Sequence, residues 1–593
     1  MIEAPTAAGA RPLLATAERW ALAAGTATGA LLALGPLELR DAAISLGALR
    51  FTSTELLAAL ALLVGLMGAA LAGRHDAALR ARMVGRLRAP VAFAMVVWGL
   101  LHVASTAWAT VWPLEALKFS LRVCGGVGLG LVGLAWGGET AYVRRAMVGL
   151  RVGVALITAV GIVERLGGQA VEPALAMFRD EPTWMLGEQR LSTVFGHANT
   201  LAAYLELTVP VLLLLAARTS SAWRWPARIW MVLAILMLSL TYSRAGLLAG
   251  LLGLVCVGYV AYRRHMQEVG RHVIGAALLL AVSYLGNPDM RGRLGMEQRR
   301  YDVLYRIEGP CAGAPGERVE VPIFVRNDGQ WPLTNRQAPG DIAIVVLPEE
   351  GPPDSSDFHY MPLPVLGPGE GVTMTVAFDL PGEARWQPLM VDIRRKNVLW
   401  LSSVGVEPGH FLCRVAAPGQ RLPPRGRSDH EDFRFEHRPM ELERHDYWQA
   451  AVALFRESPI FGHGADRFRQ LYGRHVPLGG WDPRARSHSI VFETAANLGV
   501  VGLLALLLLT ITVGARVARA FGYRDRGLVP VRPLGVALAG GLIGFALHSL
   551  VDYFLAYTKI LVVVWPILGI AMARAAPPVN EPEAAAPPEE PLP

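Results

Sequence analysis

About a dozen stretches of roughly twenty mostly apolar residues run through this chain, and they constrain its fold more than any other feature. A helix of that length crosses the ~30 Å hydrocarbon core of a bilayer while satisfying its own backbone hydrogen bonds. The stretches fall at 14–35, 54–73, 90–110, 116–137, 146–165, 198–217, 227–243, 245–262, 270–286, 490–515, 534–555 and 558–574. The first is too long for a signal peptide and lacks a small-residue cleavage site, so it reads as a span. Charge is correspondingly scarce. Of 593 residues, 18% are charged and 53% hydrophobic, where soluble chains carry about 25% charged residues. These figures exclude a purely soluble protein and a disordered one. The net charge is +7, but in a membrane protein a basic excess points to cytoplasmic loops and lipid phosphate. No basic stretch is interleaved with aromatics, which argues against nucleic acid.

Arginine placement orients the spans. Every second connection is arginine-rich: Arg74 to Arg88, Arg144 and Arg145, Arg218 to Arg228, Arg263 to Arg271, and Arg516 to Arg532. The positive-inside rule puts those loops and both termini in the cytoplasm. The expected organisation is about nine spans in 1–289, a β-sandwich in 301–416, a linker and helical segment in 417–489, and about three spans in 490–574. A Pro- and Glu-rich tail, 575–593, closes the chain as a disordered cytoplasmic end. The long loop from about Gly286 to Ser489 then faces the periplasm. The fold class is a polytopic α-helical membrane protein with an all-β domain inserted in that loop.

The sandwich is read from alternating runs at Tyr301–Ile307, Val319–Arg326, Ile342–Leu347, Val372–Phe378, Met390–Ile393, Val398–Val404 and Phe411–Val415. Turn signals such as Asn327-Asp328-Gly329 and Pro368-Gly369-Glu370 separate them. The stretches RVEVPIFVRNDGQWPL and LGPGEGVTMTVAFDLP resemble bacterial immunoglobulin-like sandwiches. A structural or docking role is favoured over carbohydrate binding, because fold does not fix function. Cys311 and Cys413 lie near the two ends of this region, and an oxidising compartment would permit a disulfide between them. Cys124 and Cys256 sit inside spans as small apolar residues. After the linker, Glu441–Glu457 reads as a helix with Trp448, Ala451, Val452 and Phe455 on one face.

Ionisable residues in or beside spans are costly and mark candidate sites. Four places stand out on the outward side. In EQRLSTVFGHANTLAAYLEL, Arg190, His197 and Asn199 precede the sixth span and Glu206 falls within it; an interface anchor and a helix cap are the plain alternatives for Arg190 and Asn199. In LTYSRAGLLAG a tight turn holds Ser243 and Arg244 at the membrane surface. In RARSHSIVFETAANLGVVG, His488 precedes the tenth span, with Arg484 and Arg486 beside it and Glu493 one turn on. His548 and Asp552 are spaced i, i+4 near the outer end of the eleventh span, where a structural polar pair is favoured. Lys118 and Arg122 start the fourth span and would add positive charge to the same mouth.

Arginine forks suit a diphosphate, and a histidine titrating near neutrality suits general-base work on a hydroxyl. The constellation therefore fits transfer from a lipid diphosphate donor to an acceptor hydroxyl. There is no Walker loop, no HExxH and no dinucleotide fingerprint. FGHGADRF has glycines but no lysine. The first outer loop offers one aspartate, Asp41, and DHED at 429–432 lies in the linker. No metal and no cofactor are expected.

Several pieces, in this order, resemble the bacterial O-antigen ligase and O-antigen polymerase superfamily: RLSTVFGHANTLAAYL, LTYSRAGLLAG, RHDYWQAAVALFRESPIFGHGADRF and RSHSIVFETAANLGVVGLLALL. They span most of 50–570, the sandwich excepted. The resemblance implies an inverting, metal-independent glycosyltransferase of the inner membrane, with a glycan on undecaprenyl diphosphate as donor. Arg190 and Arg244 would bind the diphosphate, with Arg486 added from its place beside His488. His488 would activate the acceptor hydroxyl, with Asn199, Ser243, Glu493, Lys118 and Arg122 in support. Arg486 stands where many members carry a histidine, and Ser489 where many carry asparagine, which leaves the acceptor open among lipid A core, a growing polysaccharide and protein. A ligase, a polymerase and a protein O-oligosaccharyltransferase all fit. A flippase for lipid-linked glycan would need polar residues through the full membrane depth, and a non-catalytic scaffold would leave the arginines and His488 unexplained.

Overall fold

The computed structural model describes residues 10–46, 49–109, 112–179, 184–185, 188–218, 221–286, 301–330, 332–333, 340–347, 357–395, 399–404, 406–422, 444–476, 484–521 and 533–575. Most of the expected linker, the acidic 429–432, the arginine-rich connection 522–532 and the tail from 576 lie outside them. The chain divides into two units. One comprises Met1–Pro182, Leu191–Ser283 and Glu443–Pro593; the other comprises Thr183–Arg190 and Tyr284–Leu442.

A helix stands at each of the twelve apolar stretches of the first unit. They are α1 (Ala10–Leu34), α2 (Ser53–His75), α4 (Pro90–Ser105), α5 (Pro113–Trp136), α6 (Thr140–Gly167), α8 (Ala198–Arg218), α9 (Ser221–Leu240), α10 (Arg244–Arg263), α11 (Gln267–Leu285), α14 (Ile490–Ala520), α15 (Pro533–Ser549) and α16 (Thr558–Arg574). Shorter helices are α3 (Ala77–Leu87), α7 (Glu172–Leu175), α12 (Arg444–Glu457) and α13 (Phe468–Leu471). Among the described residues, nine helices are long and apolar enough to cross a membrane, and α9 and α15 are apolar but shorter. The chain is thus a polytopic membrane protein, with nine such helices where about twelve spans were expected.

Local chemistry sets the ends. Proline opens α4, α5 and α15, where its missing N–H costs nothing. Thr52 and Glu55 form a reciprocal capping box at α2, and Asp76 caps α3. The eleventh stretch ends earlier than expected: α15 stops at Ser549, and residues 550–557 turn back before α16. Close helix crossings use glycine. A Cβ on Gly149 of α6 would sit 2.0 Å from the Gly29 carbonyl oxygen of α1, and one on Gly569 of α16 would sit 2.0 Å from that of Gly130 on α5. Of its most apolar window, α8 buries 94% and α14 only 22%. The first is therefore a central helix and the second a peripheral one.

Strands β1 (Ile44–Leu46) and β2 (Leu49–Phe51) pair within the first unit. The second unit is built from β3 (Trp184–Met185), β4 (Glu188–Gln189), β5 (Val303–Ile307), β6 (Ala312–Gly313), β7 (Arg318–Asn327), β8 (Gly340–Val346), β9 (Phe358–Leu363), β10 (Gly371–Asp379), β11 (Arg385–Arg395), β12 (Leu399–Trp400) and β13 (Gly409–Val415). One sheet has the order β10-β7-β5. The other runs β6-β13-β11-β8-β9, with β12 paired to β11. Val321, Ile323, Val325, Val376 and Phe378 of the first sheet share a core with Ile342, Ile344, Leu389, Val391, Ile393 and Val415 of the second. The period-two alternation of these strands puts those side chains on the inner faces. Residues 401–404 form a 3-10 turn and not a strand, and the alternating runs missed β9. Cys311 and Cys413 are bonded, with Cα atoms 4.6 Å apart, next to the parallel pairing of β6 and β13.

Candidate functional site

The polar cluster of the first unit starts at the entrance to α14. Ser489 is the N-cap, and its side chain accepts from the Val491 N–H at 3.3 Å. Glu493, one turn in, reaches back to accept the Ser487 N–H at 2.9 Å and also accepts from Asn497 Nδ2 at 3.2 Å. Between these bonds His488 adopts the left-handed conformation, with φ +53°. That conformation is uncommon for a residue with a Cβ. It turns the ring away from the helix, edge-on to Tyr447 of α12 at 5.2 Å between centroids. The side chain remains 30% exposed.

His488 Nδ1 lies 3.3 Å from Asp552 Oδ1. The expected His548–Asp552 helical pair does not form, because the helix has ended between them. Asp552 instead sits in the 550–557 turn. Its Oδ2 accepts from Asn199 Nδ2 at 2.8 Å, its Oδ1 accepts its neighbour Tyr553 N–H at 2.9 Å, and Arg444 lies 3.7 Å away. Burial would raise the Asp552 carboxyl, but the hydrogen bond and charge of His488, with the charges of His197 and Arg444, hold it well below the carboxylate range. An ionised Asp552 favours the His488 tautomer with its proton on Nδ1. Nε2 is then left as an acceptor, the arrangement of a general base steadied by a carboxylate.

Arg486 is held differently from an arginine open to a diphosphate. Its guanidinium pairs with Asp466, lies 3.7 Å from Glu493 and is only 15% exposed. Asp466 also binds Arg469 at 2.8 Å, and Arg469 reaches Glu115 of α5 at 2.5 Å. Burial would raise Asp466, yet the two guanidiniums outweigh it and keep the carboxyl below its ordinary value. Three carboxylates thus lie within 4 Å of these two guanidiniums, and through Asp466 and Glu493 Arg486 braces the His488 loop. Arg122 pairs with Glu55 of α2, one turn from Lys118 on α5.

The other predicted residues are placed as follows. Ser243 caps α10 by accepting the Gly246 N–H at 3.1 Å. The preceding Tyr242 has φ +52°, which makes the turn between α9 and α10 tight. Arg244 opens α10 with its side chain exposed. Arg190 is buried and groups with the second unit, but the next residue, Leu191, donates its N–H to the Leu240 carbonyl at the end of α9 at 3.1 Å. Asn199 lies inside the first turn of α8, so it is a link to Asp552 and not the cap.

Two features escaped sequence reasoning. Asp552 was assigned to the wrong partner. Arg179 was not singled out, yet it is fully buried and binds Glu164 at 2.9 Å, Glu172 at 2.8 Å and Ser192. Glu164 also accepts the Thr193 N–H at 2.7 Å, and Lys559 donates to the Phe178 and Val194 carbonyls at 2.7 and 2.6 Å. This network fixes the segment leading into α8. Its one signal was charge in a poorly charged chain. Among the described residues, no group of three or more His, Cys, Asp or Glu is placed to hold a metal.

Residues 414–507 match the family model described as O-antigen ligase. The chain carries an O-antigen ligase domain. The matched segment includes His488, Arg486, Asp466 and Glu493, whereas Asn199 and Asp552 lie outside it. The match over these residues supports ligase- or polymerase-type activity in polysaccharide biosynthesis by a membrane-embedded, glycosyltransferase-type enzyme. No curated protein matches the chain. One solved structure that it matches is the Pseudomonas fluorescens alkylpurine DNA glycosylase AlkC bound to DNA containing an abasic site analog. That match has 13% identity and a TM-score of 0.14 over 55% of this chain and 97% of the other. So low a score carries no argument about fold or activity.

Proposed function

We propose that this O-antigen ligase-like protein moves a glycan from an undecaprenyl-diphosphate carrier to an acceptor hydroxyl at the periplasmic face of the inner membrane. The observation that carries the reading is the His488–Asp552 pair, which leaves Nε2 of a partly exposed imidazole free to take a proton. In the reaction Nε2 removes the proton of the acceptor hydroxyl as its oxygen attacks the anomeric carbon. The bond from that carbon to the diphosphate oxygen breaks, and the diphosphate leaves with the electron pair. A single displacement of this kind inverts the anomeric centre. Arg244, exposed at the start of α10, supplies positive charge that offsets the leaving group. The base and the counter-charge both come from side chains, so the reading requires no metal.

Purified protein in liposomes, given a lipid-linked glycan and an acceptor, should transfer the glycan, and His488→Ala should abolish the product while leaving the amount of folded protein unchanged. Normal product from that variant would remove the base assignment. Surface glycans of a deletion strain separate the remaining readings. Unattached lipid-linked polymer identifies a ligase, short-chain glycan a polymerase, and underglycosylated protein an O-oligosaccharyltransferase. Loss of lipid-linked glycan from the outer leaflet would instead indicate a flippase.

A further inference from the structure

One buried pair of ionisable side chains has no part in the reaction above. Glu206 of α8 and His548 of α15 have fully buried side chains, and Glu206 Oε1 lies 2.8 Å from His548 Nδ1. Glu206 Oε2 and His548 Nε2 are buried without a hydrogen-bond partner among the described residues. Such a pair among apolar helices is weak support for stability, because its desolvation penalty rivals its attraction. An ionisable group at this depth is a candidate for function.

Its place on α8 suggests what it does. Glu206 follows Asn199 by seven residues, two helical turns, so the two side chains lie on one face. Asn199 holds Asp552, and Glu206 holds His548. One helix therefore grips the 548–552 segment twice, on either side of the point where α15 ends. The end is made locally, with Ser549 Oγ donating to the Phe545 carbonyl and the Val551 N–H to that of His548. The His548 ring also stands edge-on to Phe554, two residues past Asp552, at 4.7 Å. The helices meet closely here: a Cβ on Gly541 would sit 2.7 Å from the Leu207 carbonyl oxygen. A slip of α15 along α8 would move the turn and take Asp552 away from His488.

We propose that Glu206 and His548 are positioning residues that register the end of α15 so that Asp552 reaches His488. The proposal rests on the reading of His488 as the base. The test compares the full-length protein with Glu206→Gln, Glu206→Leu, the pair Glu206→Leu/His548→Leu, Asp552→Asn and Glu206→Leu/Asp552→Asn in the liposome transfer assay. Replacing both partners strands no buried charge, so the pair keeps the test informative if Glu206→Leu fails to insert. Expected results are a kcat lowered about tenfold in Glu206→Leu and in the paired variant with KM unchanged, and near-normal kcat in Glu206→Gln. In an Asp552→Asn background, Glu206→Leu should cost less than about twofold more, because the two changes act through one group. Normal kcat in both leucine variants, or losses that multiply with Asp552→Asn, would overturn the positioning role. An inactive His488→Ala beside either result leaves the base assignment standing, whereas an active one removes that assignment first.

Discussion

Three buried carboxylates, two in the helical unit and one in the β unit, carry their charge in opposite ways. In the helical unit, Asp552 and Asp466 are each met by cationic side chains and kept below the ordinary carboxylate range. In the β unit, the partners of Asp392 of β11 among the described residues are hydrogen-bond donors: the Ser402 hydroxyl at 2.5 Å, the Ser402 N–H at 3.4 Å and the Ile393 N–H at 2.8 Å. Burial pushes its carboxyl up to about 7. At Asp392 hydrogen bonds alone do not offset the desolvation of the charge, whereas at Asp552 and Asp466 the cations beside them do. The first arrangement keeps ionised groups beside an exposed imidazole and can support chemistry. The second is a buried polar group closing a turn, as in many structural domains.

Exchanging charge for shape should separate the two. Asp552→Asn should lower transfer about 10²-fold or more by releasing the His488 tautomer, while Asp392→Asn leaves transfer unchanged; product formation by matched amounts of folded protein measures both. Equal effects would erase the distinction. Asp466→Ala removes the carboxylate that Arg486 and Arg469 share, leaving them Glu493 and Glu115, and should destabilise the helical unit by about 2–3 kcal/mol, read as the thermal midpoint in detergent. Its sign with pH is fixed. A lowered folded pKa gives stabilisation that is complete above the ordinary carboxylate range and is lost as pH falls through the folded value. Replacing Cys311 and Cys413 by serine opens a link across 102 residues and should cost the β unit roughly 2–5 kcal/mol, with transfer by the intact helical unit as the control. The last is the pH slope of Asp392. With the folded value near 7, the folded state holds a proton that the unfolded chain releases, so stability falls as pH rises from about 4 to 7. The change should be about 4 kcal/mol and absent in Asp392→Asn.

Much of this was legible from the residues. A helix stands at each of the twelve apolar stretches, and nine of them, among the described residues, are long and apolar enough to cross a membrane; apolar runs of that length leave the backbone one way to satisfy itself in a bilayer. The inward-facing strands showed through period-two alternation, but β9 did not: Phe358–Leu363 carries His359, Tyr360 and Pro362, which blur the pattern. His488 was found because it combined a titrating ring with flanking arginines. Its partner was missed for a physical reason. The i, i+4 spacing of His548 and Asp552 implies a shared face only while the helix continues, and no glycine or proline in LHSLVDYFLAY marks its end at Ser549.

The sequence by itself determined the membrane body, the change to strands after residue 300 and the candidate base, because hydrophobic periodicity and local charge are properties of neighbours along the chain. Only the tertiary structure decided which carboxylate lies beside that histidine. His488 and Asp552 lie 64 residues apart and Asn199 353 from Asp552, and their meeting depends on where α15 stops and how α8 packs against it. Arg486 shows the same limit: its sequence neighbourhood offered it to a ligand, and the fold assigned it to Asp466 and Glu493.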